Sequence, residues 1–162
     1  MNRANMFKYI VFICLNVFCS FSLADEVTFD LGLGTLNTTS TMKFMSLGVQ
    51  EDLWTILKQR GSLGGWVDQS LGNASSGFMA AQLGVEIVNN GWVGSAFFGP
   101  GAISQSDQLL GGWFQFMSSI EFGFRDINGN YIGTMFRHFS SAGIETPNIG
   151  RNVLGLELKF PL

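Results

Sequence analysis

Cysteine stops at residue 19. Cys14 and Cys19 are the only two, so the chain beyond them has no thiol from which to build a disulfide scaffold. Histidine occurs once, at His138, and one histidine without cysteine cannot assemble a usual zinc site. No metal or cofactor is expected. After the first two dozen residues no apolar run approaches the length of a membrane-crossing helix, which excludes a helical membrane protein. Basic charge is also scarce. Setting aside Arg3 and Lys8, seven basic residues face twelve acidic ones, a net charge of −5. Nucleic acid, whose phosphates need a basic face, is not an expected partner.

The N-terminal segment reads as a secretory signal peptide. "MNRANMFK" supplies positive charge, "YIVFICLNVFCSF" a 13-residue apolar core, and "SLA" small residues before a cleavage point after Ala24. The core is too short for a spanning anchor, the other reading of such a segment. The expected organisation is therefore a signal peptide, 1–24, and one domain, 25–162.

What fills that domain is alternation. "VTFDLGLG" sets Val27, Phe29, Leu31 and Leu33 against Thr28, Asp30, Gly32 and Gly34. "WFQFMSSIEFGF" sets Phe114, Phe116, Ile120, Phe122 and Phe124 against Gln115, Ser119, Glu121 and Gly123. "NVLGLELKFPL" sets Leu154, Leu156, Leu158, Phe160 and Leu162 against Gly155, Glu157 and Lys159. A period of two means strands. Eight such segments are expected, at 27–36, 41–50, 62–70, 78–88, 92–99, 112–125, 131–141 and 153–162. "NNG" at 89–91 and "DINGN" at 126–130 predict short hairpin turns. The stretch "EDLWTILKQRG", 51–61, has weaker alternation and is expected to hold a helical turn.

Two architectures accommodate this pattern. A soluble, lipocalin-like barrel turns its apolar face inward, and an outer-membrane barrel turns it outward to lipid. The outward faces are unbroken and rich in Phe and Leu. The opposite faces mix Gly and Ser with charged residues, which suits a narrow lumen of paired charges. The segments have spanning length, and the chain alternates to its C-terminal tail. The expected fold is thus all-β, an eight-stranded antiparallel transmembrane barrel. Both termini and the short turns then face the periplasm, with loops 71–77, 99–111 and 142–152 outside.

In strand seven, "YIGTMFRHFS", Arg137 would be costly against lipid and belongs in the lumen, where Glu121 or Glu157 can pair with it. His138 and Ser140 then share the outward face near the external rim. Residues two apart on a strand lie about 7 Å apart at Cα, close enough for an imidazole and a hydroxyl to meet. Serine needs such a base to become a nucleophile. Asn152, outward on strand eight, is in phase to orient the imidazole. Glu157 has the opposite phase, and Glu145 lies in the loop. His-x-Ser alone is a weak signal, and by itself it reads first as a polar interfacial rim.

The longer stretch "RHFSSAGIETPNIGRN" is more specific. It resembles the signature of the PagL-type lipid A 3-O-deacylases, with His138, Ser140, Ala142, Gly143, Ile144, Pro147, Asn148 and Gly150 in register and no gap. "LELKFPL" resembles the last strand of that family, and the remainder agrees in outline. The resemblance implies an outer-membrane esterase acting on lipopolysaccharide in the outer leaflet, where it would remove the 3-hydroxyacyl chain from position 3 of lipid A. By position, Ser140 is the implied nucleophile and His138 the base. The Ser141–Gly143 turn would supply oxyanion donors, with Asn148 shaping the loop. Two positions depart from the family pattern. Asn152 stands where the pattern has Glu, and can orient a histidine without neutralising its cation. Ser141 stands where the pattern has Asn. These departures favour the other reading, a barrel of the same shape with a structural, adhesive or lipid-binding role.

Overall fold

A computed structural model describes residues 24–35, 41–68, 74–104, 110–144, 146 and 150–162. Residues 1–23 of the expected signal peptide lie outside the described residues. Eight strands follow one another: β1 Glu26–Thr35, β2 Thr41–Asp52, β3 Leu57–Asp68, β4 Ala74–Asn89, β5 Trp92–Ile103, β6 Phe114–Arg125, β7 Tyr131–Ser140 and β8 Arg151–Pro161. Each pairs antiparallel with its neighbour in sequence, and β1 pairs with β8 to close the barrel. The Leu162 amide donates to Asp25 O at 2.9 Å, so both ends of the barrel chain meet at one rim.

At that rim the connections are short. Asn90 and Gly91, at φ 52° and 83°, form a two-residue turn whose positive φ values match the twist of the strands. In the β6–β7 turn, the Asp126 carboxylate accepts from the Asn130 side chain at 3.0 Å and from the amides of Asn128 and Asn130, each at 2.9 Å. These bonds, the Asn130 side chain foremost, hold its carboxyl below the usual aspartate range. The helical turn expected within 51–61 is absent. β2 runs to Asp52, the amides of Leu53 and Trp54 both donate to Leu57 O at 3.0 Å, and β3 begins at once. The reason is electrostatic: as a strand, Lys58 and Arg60 both enter the lumen, where carboxylates await them. β5 likewise continues through Gly99–Ile103, a stretch expected to be loop.

The apolar face points outward, as a lipid-facing wall requires. Leu33, Ile87, Phe98, Ile120 and Leu154 are all more than half exposed. Inside, the barrel has two halves. Toward the turn rim lies a charge network. Arg60 pairs with Glu121 and, at 3.1 Å, with Glu157, while Lys159 pairs with Glu86 at 3.1 Å and Glu121 at 3.3 Å. Arg137 pairs with Asp30 at 2.9 Å and also donates to Ser46, so the expected partners Glu121 and Glu157 are committed elsewhere. Toward the loop rim an apolar layer is packed around Phe44, Trp66, Phe78 and Phe139, with Phe78 and Phe139 edge-to-face at 5.2 Å, and the buried pair Arg151–Asp68 at 2.7 Å lies at the rim end of β8 and β3. This plug blocks the lumen as an aqueous channel. The paired charges expected in the lumen are present, and the aromatic layer adds to them because Phe44, Trp66, Phe78 and Phe139 occupy the inward phase of their strands.

Candidate functional site on the outer wall

The alternation of β7 puts Arg137 and Phe139 inside and leaves His138 and Ser140 half-buried on the outer wall, within three residues of the loop rim. The register of β7 with β8 places Asn152 directly opposite His138. The two side chains meet there, with His138 Nδ1 and Asn152 Oδ1 2.6 Å apart. Because an amide oxygen only accepts, Nδ1 carries the proton and Nε2 holds the lone pair. Asn152 thus fixes the tautomer that a general base requires.

Two further residues frame the imidazole. Gly150, at φ +80°, lies against it: a Cβ there would sit 2.7 Å from His138 Cε1 and 3.1 Å from Phe139 O. Only glycine meets both demands, of conformation and of space. On the other side, the register of β6 sets Ser118 opposite His138 and Phe116 opposite Ser140. Phe116 stacks on Phe98 at 5.5 Å and meets Phe114 edge-on at 5.2 Å, giving an aromatic wall beside the serine. Sequence reasoning passed over Ser118 and the fit of Gly150 to the ring. The phase of "MSSIEF" could have found the first, since Ser118 is in step with Phe116 and Ile120.

After Ser140 the chain turns sharply. Ile144 N donates to Ser141 O at 3.0 Å, and Ala142 and Gly143 between them take φ 52° and 81°. A non-glycine residue in the left-handed region costs about 1–2 kcal/mol, so this turn stores strain next to the serine. Ser141 is fully buried. Gly143 is exposed, with open space where a Cβ would be. Glu157 is buried in the lumen, away from the imidazole, as its phase demanded. Glu145 and Asn148 lie outside the described residues.

A family model described as lipid A 3-O-deacylase (PagL) matches residues 30–161. The chain belongs to this family. Among relatives, it is 38% identical over 77 residues to lipid A deacylase PagL of Bordetella bronchiseptica, a match spanning 43% of this chain and 43% of that protein. Among solved structures, the outer membrane enzyme PagL superposes with a TM-score of 0.69 at 22% identity, covering 85% of this chain and 99% of that one. The N-terminal β-barrel domain of Pseudomonas aeruginosa OprF superposes at 0.50 with 11% identity, covering 85% and 98%. These two likenesses concern the fold. Family membership, by contrast, covers all of β7 and β8, and so the whole outer-wall constellation.

Proposed function

We propose that this protein is an outer-membrane serine esterase that removes the ester-linked 3-hydroxyacyl chain from position 3 of lipid A. The observation that carries the reading is the His138–Asn152 hydrogen bond on the lipid-facing wall, beside an outward serine two residues along the same strand. A lipid-facing active site suits a substrate whose ester bonds lie just beneath its headgroup, at the level of the external rim.

The chemistry follows from the groups present. Ser140 Oγ attacks the ester carbonyl while His138 Nε2 takes its proton, a transfer worth about 10²–10⁴ in rate. Asn152 holds the imidazole through Nδ1. The tetrahedral oxyanion is received by amides of the strained turn after Ser140. Ser141 is buried, so Ala142 and Gly143 are the better-placed donors. His138 then returns the proton to the departing glucosamine 3-oxygen. Water, activated by the same base, cleaves the acyl-serine and releases the 3-hydroxy fatty acid. The aromatic wall of Phe116, Phe98 and Phe114 offers an apolar bed for that chain.

Mass spectrometry of lipid A from cells expressing the wild type or Ser140→Ala tests this. Loss of one 3-hydroxyacyl group with wild type only is the expected result. Unchanged lipid A, with the barrel folded in the outer membrane, would refute the activity and leave a barrel with a structural or lipid-binding role.

A further inference from the structure

The wall opposite the candidate active site carries a second feature. In the closed order β1 to β8, β3 lies four strands from β7 in either direction, diametrically across the barrel. A groove of about 830 Å³ in the outer surface spans β1 to β4, lined mostly by β2 and β3, within the range of small-ligand sites. Its floor exists because Gly65 and Gly77 face each other across the β3–β4 ladder and neither carries a side chain. Met45, Leu47 and Leu63 form one bank. The groove runs down the strands from the row of Lys43, Val67 and Ser75 to the row of Leu47 and Leu63, roughly 13 Å at strand rise.

Lys43 stands at its upper end, three residues into β2 from the loop rim, and is exposed on the outer wall. Every other basic side chain among the described residues is paired with a carboxylate: Lys58, Arg60, Arg125, Arg137, Arg151 and Lys159. Lys43 has no acidic partner among the described residues. An unpaired cation on a lipid-facing wall is expensive unless it reaches the interface and meets an anion there.

We infer that this groove binds a second lipid A molecule, one that is not a substrate, with an acyl chain in the channel and a phosphate on Lys43. The inference rests on the outer-membrane reading above. Two arguments favour this occupant. The cation and the apolar channel are stacked along the strand direction, headgroup above and chain below, as in a lipid of the external leaflet. A second copy of the chain docked symmetrically on this face would instead bring another unpaired Lys43 into the contact.

The test uses full-length protein purified in detergent as Ser140→Ala, so that no bound lipid is consumed. Native mass spectrometry counts retained bisphosphorylated lipid A, with chemically dephosphorylated lipid A as the comparison probe. The Ser140→Ala protein should retain two molecules, one on each wall. Adding Lys43→Glu should weaken the second at least about fivefold, the worth of one basic residue at an anionic surface. Adding Ser75→Leu, which fills the groove without touching the cation, should do the same. With Ser140 intact, Lys43→Glu should leave hydrolysis of a soluble short-chain ester unchanged. Equal retention by all three proteins would overturn the inference. So would equal retention of the dephosphorylated probe, or a dimer that Ser75→Leu disperses while the lipid count stays constant. Failure of catalysis alone would leave the retention result standing, so the two readings fail separately.

Discussion

Asn152 offers the sharpest test of the proposed mechanism. Its Oδ1 lies 2.6 Å from His138 Nδ1, so Asn152→Asp keeps the shape and adds a negative charge beside the imidazole. A carboxylate and an imidazolium with charges about 4 Å apart attract by ~1 kcal/mol in water and ~4 kcal/mol at the effective dielectric of a protein surface. Both residues are half-buried, and the transition state carries only part of the imidazolium charge. The net stabilisation should be about 1–2 kcal/mol, a rate increase of about 5- to 30-fold. Asn152→Ala removes the bond that selects the tautomer and should slow the enzyme about tenfold or more. The assay is the initial rate of 3-hydroxy fatty acid release from lipid A in mixed micelles, compared for all three proteins at the same series of alkaline pH values. Wild-type rates in Asn152→Ala would show that Asn152 does not orient the base, and slower hydrolysis in Asn152→Asp across the alkaline range would refute the charge argument.

Other expectations follow from the packing. Gly150→Ala forces a Cβ within 2.7 Å of the imidazole at φ +80°. Activity should fall more than about tenfold while stability drops by only about 1–2 kcal/mol, as read from kcat and thermal midpoint on one preparation. Arg60→Met strips the guanidinium from Glu121 and Glu157 and should destabilise the barrel by about 3–5 kcal/mol in urea unfolding from detergent. Arg60→Met combined with Glu121→Gln should recover part of that loss. An unchanged midpoint in Arg60→Met would contradict the role given to the network. Ser140→Ala should abolish ester cleavage and keep the heat-dependent gel shift of a folded barrel.

The alternation of apolar and polar residues determined much of this protein. It gave eight two-faced strands, because a period of two is a local property of the chain, and the Phe- and Leu-rich faces, the charged opposite faces and the spanning length pointed to an outward-facing membrane barrel. It also determined that His138, Ser140 and Asn152 share one wall, since phase within a strand is enough to place them. Strand edges escaped it where charged residues, or Gly and Pro as in Gly99–Ile103, looked like turn material. Lys58 and Arg60 belong to β3 only because carboxylates on other strands receive them. The partners themselves were a matter for tertiary structure. Arg137 reaches Asp30, 107 residues away, and Arg60 reaches Glu121, 61 residues away. Those pairings depend on register and stagger around the closed barrel, which no local pattern encodes. The same holds for Gly150 against the imidazole and for the groove below Lys43. Each is made by residues from different strands or segments that meet only when neighbouring strands pair.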